Sequence, residues 1–244
     1  ELSYDKFHTQ ASRIYRLVEE RHLTALPRKF ATAVSPLASV IQKGFENVKT
    51  VRVYRFESRI KARPEDEELL ETDFYYVDST FFDVFDFSMI KGDKYACLQK
   101  PFSIVISQNV AKQYFGDKNP IGKTLIINEK FEFTVCGIME NVPSNSHITI
   151  DFLASFSTIE HEIGVDVGAW WAPQMYIYVL LPPENPKATG KKIEQYIENN
   201  TQDMFESERV FTLQPLTDIH PFSHFEKELK PNSNISYLSI FSSI

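Results

Sequence analysis

Hydrophobic positions recur along this chain in short stretches, some with the two-residue period of a strand and others with helical spacing. Leu2, Phe7 and Ala11 fall on one side of a helix that Ser3 can cap, and an extended stretch follows over Arg13 to Glu20. Ser35 as cap, Pro36 in the first turn and Leu37, Val40 and Ile41 at helical spacing predict a helix that Gly44 can end. Val51 to Phe56 alternates as a strand, with Val51 and Val53 sharing one face.

The charged run Arg63 to Glu68 predicts a solvated loop, and the apolar pattern resumes at Phe74 to Val77. Asp78 or Ser79 then caps a short helix carrying Phe81, Phe82, Val84 and Phe85, and Lys91-Gly92-Asp93 makes a turn. Ser103 to Ile106 reads as a buried strand. It runs into a helix capped by Ser107, with Val110, Ala111, Tyr114 and Phe115 on its apolar face and Gly116 as its stop. Leu125 to Ile127 and Phe131 to Ile138 flank the polar turn Asn128-Glu129-Lys130, a hairpin signal. After the turn-rich Asn141 to Ser146 no period stands out until the strand Met175 to Leu181, which Pro182-Pro183 stops. Pro186 opens a helix striped by Ile193, Tyr196 and Ile197, and Val210 to Leu213 returns as a strand. No internal repeat is visible, so the pattern predicts an α+β fold of two subdomains.

Composition narrows the classes. The 244 residues are 43% hydrophobic and 24% charged, enough apolar material for one large domain or two small ones and too much for a disordered chain. Thirty-three acidic residues against 26 basic ones leave a net charge of −7, which disfavours a general attraction to nucleic acid or anionic lipid. Eight glycines are few for a chain that would cradle phosphate groups in glycine-rich loops. No stretch approaches the roughly 18 to 20 apolar residues of a membrane span. The chain opens on Glu1 without a Met and closes in the increasingly apolar Tyr237 to Phe241, so a spanning segment is expected to continue from it.

Candidate chemistry is sparse. Gly116 to Thr124 has the look of a phosphate-binding loop. However, five residues separate its glycines where the motif needs four, its order is helix-loop-strand, and Pro120 removes a backbone donor. His220-Pro221-Phe222-Ser223-His224-Phe225-Glu226 offers two imidazoles and a carboxylate, but Pro221 permits a helix only at its first turn and no third ligand is local, so a polar loop is the reading. Ser146-His147 with Asp151 lacks the Gly-x-Ser-x-Gly elbow that would expose a nucleophile. The aromatic run Phe81 to Phe87 reads as core. Of Trp170-Trp171, one ring is expected at a surface, a subunit contact or a membrane interface, because adjacent residues of an extended segment point opposite ways. Cys97 and Cys136 sit in no Cys-x-x-Cys pair and read as two small hydrophobes, with a bridge between them left open. No catalytic, cofactor-binding or metal-binding residue is assigned, and whether His220 and His224 bind metal stays open.

Taken in order, several fragments resemble a known family. They are Tyr4-Asp5-Lys6-Phe7, Ile14-Tyr15-Arg16, Phe81-Phe82-Asp83-Val84-Phe85, Gly92-Asp93, Ile104 to Ser107 with Ala111 and Tyr114-Phe115-Gly116, Pro120 to Lys123, Thr134 to Gly137, Asn141 to His147, and Leu216 to His220. In that order and spacing they resemble the periplasmic core domain of MacB-like, FtsX-related ABC transporter permeases, in a form most similar to those of Bacteroidetes-type bacteria. The two cysteines are not features of that pattern.

The resemblance implies a discontinuous porter-like α/β subdomain from residues 1-80 and 165-225, with a second α/β subdomain, 81-164, inserted in it. Residues 226-244 would be a membrane-proximal segment leading to a truncated transmembrane helix. It implies placement in the periplasm between two helices of the inner membrane, and a relay of ATP-driven motion in the export or release of peptide, drug or lipoprotein-type substrates. It also implies an ABC ATPase subunit or domain as partner, a second permease copy, and possible adaptor or outer-membrane proteins, with no nucleic acid and no cofactor. The chain itself would not be an enzyme. The competing reading is an extracytoplasmic sensor module that binds a ligand or peptide.

Overall fold

The computed structural model describes residues 3–22, 26–159, 164–171 and 174–232. In chain order the elements are β1 (Ile14–Arg21), β2 (Arg28–Phe30), β3 (Ala33–Val34), α1 (Pro36–Gly44), β4 (Lys49–Arg55), β5 (Ser58–Lys61), β6 (Leu69–Glu71) and β7 (Phe74–Val77). There follow α2 (Phe81–Val84), β8 (Met89–Lys91), β9 (Ser103–Ser107), α3 (Gln108–Phe115), β10 (Thr124–Ile127), β11 (Phe131–Met139) and β12 (Phe152–Ser155). The last are β13 (Gln174–Leu180), α4 (Pro186–Thr201), β14 (Arg209–Pro215) and α5 (Ile219–Phe222). Strands and helices are mixed, and the strand pairs include both parallel and antiparallel ones.

The chain divides into two units. The first comprises residues 1–50, 145–148 and 168–244, and the second residues 51–144 and 149–167. Residues 51–80, expected with the discontinuous subdomain, cluster with the second unit. The cause is pairing, because β7 lies parallel to β12 and β5 lies antiparallel to β10. The segment 233–244, expected to lead into a spanning helix, lies outside the described residues.

In the first unit, β1 is flanked by antiparallel β13 and β14. Helices α1 and α4 bring their apolar stripes to this sheet. Leu37, Ala38 and Ile41 of α1 and Ile193 and Ile197 of α4 pack with Leu17, Ile177, Val179 and Phe211 in one buried cluster. Gly44 lets the helices approach, since a Cβ there would lie 2.6 Å from the Tyr196 ring.

In the second unit, hydrogen-bonded neighbours run β4-β7-β12-β9-β11-β10-β5-β6, with β8 on β11. Aromatic rings join the aliphatic side chains of its core: Phe74, Tyr76, Phe133 and Phe152 are buried, and so are Phe81, Phe82, Phe85 and Phe87 of the run read as core. The hairpin forms with Asn128 and Glu129 at φ 51° and 59°, the left-handed geometry that matches strand twist. Ser107 caps α3 by accepting from Val110 N at 3.2 Å, and Gly116 ends it at φ 60°.

Three expectations change. No α-helix forms over residues 3–10: Asp5 adopts φ 55°, which interrupts a right-handed turn, and only a short 3-10 turn, Ala11–Arg13, precedes β1. The first residue before α2 is Thr80, while the Asp78 carboxylate is taken by Arg52, whose backbone N–H donates to it at 2.7 Å. Strand β12, in the stretch without a visible period, is buried at all four positions, so no polar face marks it in sequence.

Candidate functional site

The first unit concentrates its buried polar groups where the two end segments of the chain are fastened. At the leading end, the Asp5 backbone N–H donates to the Asn145 carbonyl at 2.9 Å. The Asp5 carboxylate accepts from the His147 backbone N–H at 3.1 Å, from its ring Nδ1 at 2.8 Å and from Ser146 Oγ at 3.3 Å. On its other side His147 Nε2 lies 2.7 Å from the Tyr178 hydroxyl. All four side chains are buried, so the contacts are the groups' substitute for water.

Electrostatics fit that geometry. Burial pushes the Asp5 carboxyl up, but the charge and hydrogen bonds of His147, with the charge of His8, outweigh it and hold it below the ordinary carboxylate range. Burial holds the Tyr178 phenol well above its ordinary range, so it stays protonated.

At the trailing end, Arg16 on β1 is fully buried and receives Glu228 as a two-pronged partner, Nη1 to Oε2 at 2.7 Å and Nη2 to Oε1 at 2.8 Å. Nη2 also reaches Gln214 Oε1 at 2.8 Å and Ser223 Oγ at 3.0 Å, and Ser223 donates in turn to Glu228. Tyr176 donates to the Lys227 carbonyl at 2.6 Å, and Lys230 Nζ donates to the Ser146 carbonyl at 2.9 Å. Glu226 forks onto Arg28 at 2.6 and 2.5 Å, and its backbone bridges alongside Phe30. The Tyr4 ring stacks on His220 with centroids 3.3 Å apart. Asp5 and Lys230 thus fasten the two end segments to the same two residues, Ser146 and His147.

At this clasp Ser146 Oγ turns to Asp5, not to the imidazole. The Asp151 of the hydrolase-like triplet is elsewhere, accepting from Ser107 Oγ at 2.7 Å. His220 lies under Tyr4 while Glu226 is engaged by Arg28, and α5 ends at Phe222, so His220 and His224 share no helical face. Among the described residues no group of three or more His, Cys, Asp or Glu side chains is arranged to hold a metal ion. The glycine-flanked segment after α3 leads into strand β10, leaving no helix N-terminus to hold a phosphate. Trp170 packs against Phe205 at 5.7 Å, and Trp171 is 80% exposed.

Sequence reasoning singled out Tyr4-Asp5, Tyr15-Arg16 and Ser146-His147 as separate fragments without joining them. Glu228 and Lys230 it missed. The one available signal was Arg16 itself, a charge amid Ile14, Tyr15, Leu17 and Val18, a strand too apolar to leave it facing water.

A profile of the MacB-like periplasmic core domain matches residues 1–196. The fold is similar to that of a domain ascribed to a permease protein of Porphyromonas gingivalis, at 20% identity and a TM-score of 0.70, covering 96% of this chain and 98% of that one. It is similar to the periplasmic region of MacB from Actinobacillus actinomycetemcomitans, at 14% identity and a TM-score of 0.58, over 85% of this chain and 90% of that one. The extracellular domain of the noncanonic ABC-type transporter YknZ from Gram-positive bacteria aligns at 17% identity and a TM-score of 0.58, over 82% and 99%. At these identities the likeness is one of fold. No curated protein matches the chain. Among the described residues no helix is long and apolar enough to cross a membrane.

Proposed function

The chain belongs to the MacB-like periplasmic core domain family, as a periplasmic domain of an ABC transporter permease, and from that premise we propose that it relays motion rather than performing chemistry. In this reading, flanking helices in the inner membrane move when a separate ATPase subunit or domain binds and hydrolyses ATP. The two end segments carry that movement into the domain. A second permease copy and a periplasmic adaptor or outer-membrane protein complete the assembly, and the substrates are of the peptide, drug or lipoprotein type.

One observation carries the proposal: both end segments are fastened by charge-assisted bonds to residues 146–147, buried at Asp5 and partly buried at Lys230. A relay needs its input points locked to one body, because a loosely held end dissipates displacement as local bending. Residues 145–148 belong to the first unit, yet their sequence neighbours on both sides belong to the second. Displacement of the clasp is therefore passed on through two covalent connections.

The test uses the complete transporter in membrane vesicles. Lys230→Ala and Asp5→Asn, each checked for folded protein by protease resistance, should retain ATP hydrolysis and lose transport severalfold. Unchanged transport with the clasp broken overturns the relay. A sensor module, by contrast, would lose ligand binding with ATP turnover and transport untouched.

A further inference from the structure

We propose that Cys97 and Cys136 form an oxidation site that closes as an intramolecular disulfide within the second unit. The proposal depends on the periplasmic placement above, because disulfides persist in oxidising compartments.

The two residues are 39 positions apart and face each other reciprocally. Cys97 Sγ donates to the Cys136 carbonyl at 2.8 Å, and Cys136 Sγ donates to the Cys97 carbonyl at 3.0 Å. Two features bring the backbones this close. The register between β9 and β11 shifts between Val135 and Gly137, so Cys136 occupies the irregular position and its side chain is re-aimed. Gly92 and Gly137 supply the space: a Cβ on Gly92 would lie 2.4 Å from the Cys136 carbonyl oxygen, and one on Gly137 would lie 3.1 Å from Cys97 Sγ. The structure holds both cysteines as thiols. Interaction with the Cys136 thiol, against burial, holds the Cys97 thiol below its ordinary range. Each sulfur thus lies against the backbone of the other cysteine.

The chemistry is thiol-disulfide exchange with a disulfide-bearing oxidant, a protein disulfide in the cell. One cysteine thiolate attacks a sulfur of the oxidant and expels its other sulfur as a thiolate. The second cysteine thiolate then attacks the mixed disulfide and expels the remaining oxidant thiolate. Cys97 and Cys136 together lose two protons and two electrons, and the oxidant's S–S bond is reduced to two thiols.

The purified chain, reduced and then exposed to oxidised glutathione, should lose both titratable thiols while staying monomeric and should carry a peptide link between residues 97 and 136. Its Tm should rise by roughly 5–15 °C over the reduced form, a comparison that requires no substitution. Cys97→Ala and Cys136→Ala should each instead retain one thiol or one glutathione adduct. Two retained thiols, or a glutathione adduct on each cysteine, overturns the pairing and leaves the periplasmic reading untouched. Alkylation of both thiols in cells expressing the full gene, when the purified chain closes readily, overturns the oxidising placement and with it the bridge in the cell.

Discussion

Replacing Glu228 by Ala removes one side of a buried ion pair and leaves the other in place. Arg16 has a side-chain exposure of 0% and Glu228 of 13%, so water has almost no route to the guanidinium once the carboxylate is gone. Gln214 and Ser223 still accept from it, but neither neutralises its charge. Breaking a buried pair by deleting one partner costs about 3–5 kcal/mol, against ~1 kcal/mol or less for a surface pair. With a Tm response of roughly 2–4 °C per kcal/mol in a chain of this size, the variant should melt about 6–20 °C lower by circular dichroism. Hydrogen exchange should quicken over residues 219–232, which Glu228 and Ser223 tie to β1. The double replacement Arg16→Met with Glu228→Leu removes both charges and refills the space, so it should melt within a few degrees of the parent or above it. A Glu228→Ala melt within about 1 kcal/mol of the parent refutes the reasoning. So does a double variant as unstable as the single one, since the loss would then come from packing and not from the stranded charge.

Asp5 has a folded pKa below its unfolded value, so its stabilisation is present above about pH 4 and is lost as pH falls through the folded value. Acid unfolding followed between pH 5 and 2 should be less steep in Asp5→Asn, and an identical slope would contradict the buried-carboxylate account. Glu226, lowered chiefly by its hydrogen bond to Arg28, is exposed, and its share should fade in high salt. Gly92→Ala forces a side chain into φ +94° with its Cβ 2.4 Å from the Cys136 carbonyl, and should destabilise by about 2–4 kcal/mol in urea unfolding. Gly122→Ala, at φ +78° with nothing within 4 Å, carries the strain alone and should cost about half as much. Equal losses would remove the close approach from the argument.

Local chemistry determined much of this protein. Ser107 and Gly116 bound α3, Pro36 opens α1, and the polar turn at 128–130 folds β10 onto β11, because caps, prolines and turns act within a few residues. The ordered fragments likewise pointed to the family. Tertiary structure decided the rest. β12 was hidden because a strand buried on both faces shows no alternation, and the first ten residues looked helical because nothing local reveals that Asp5 turns left-handed to meet Asn145. Above all, the partners of His147 and Arg16 are Asp5 and Glu228, which lie 142 and 212 residues away along the chain. A hydrophobic period records which side of an element faces inward. It carries no record of which distant charge will be waiting there, and only the folded sheet brings those charges together.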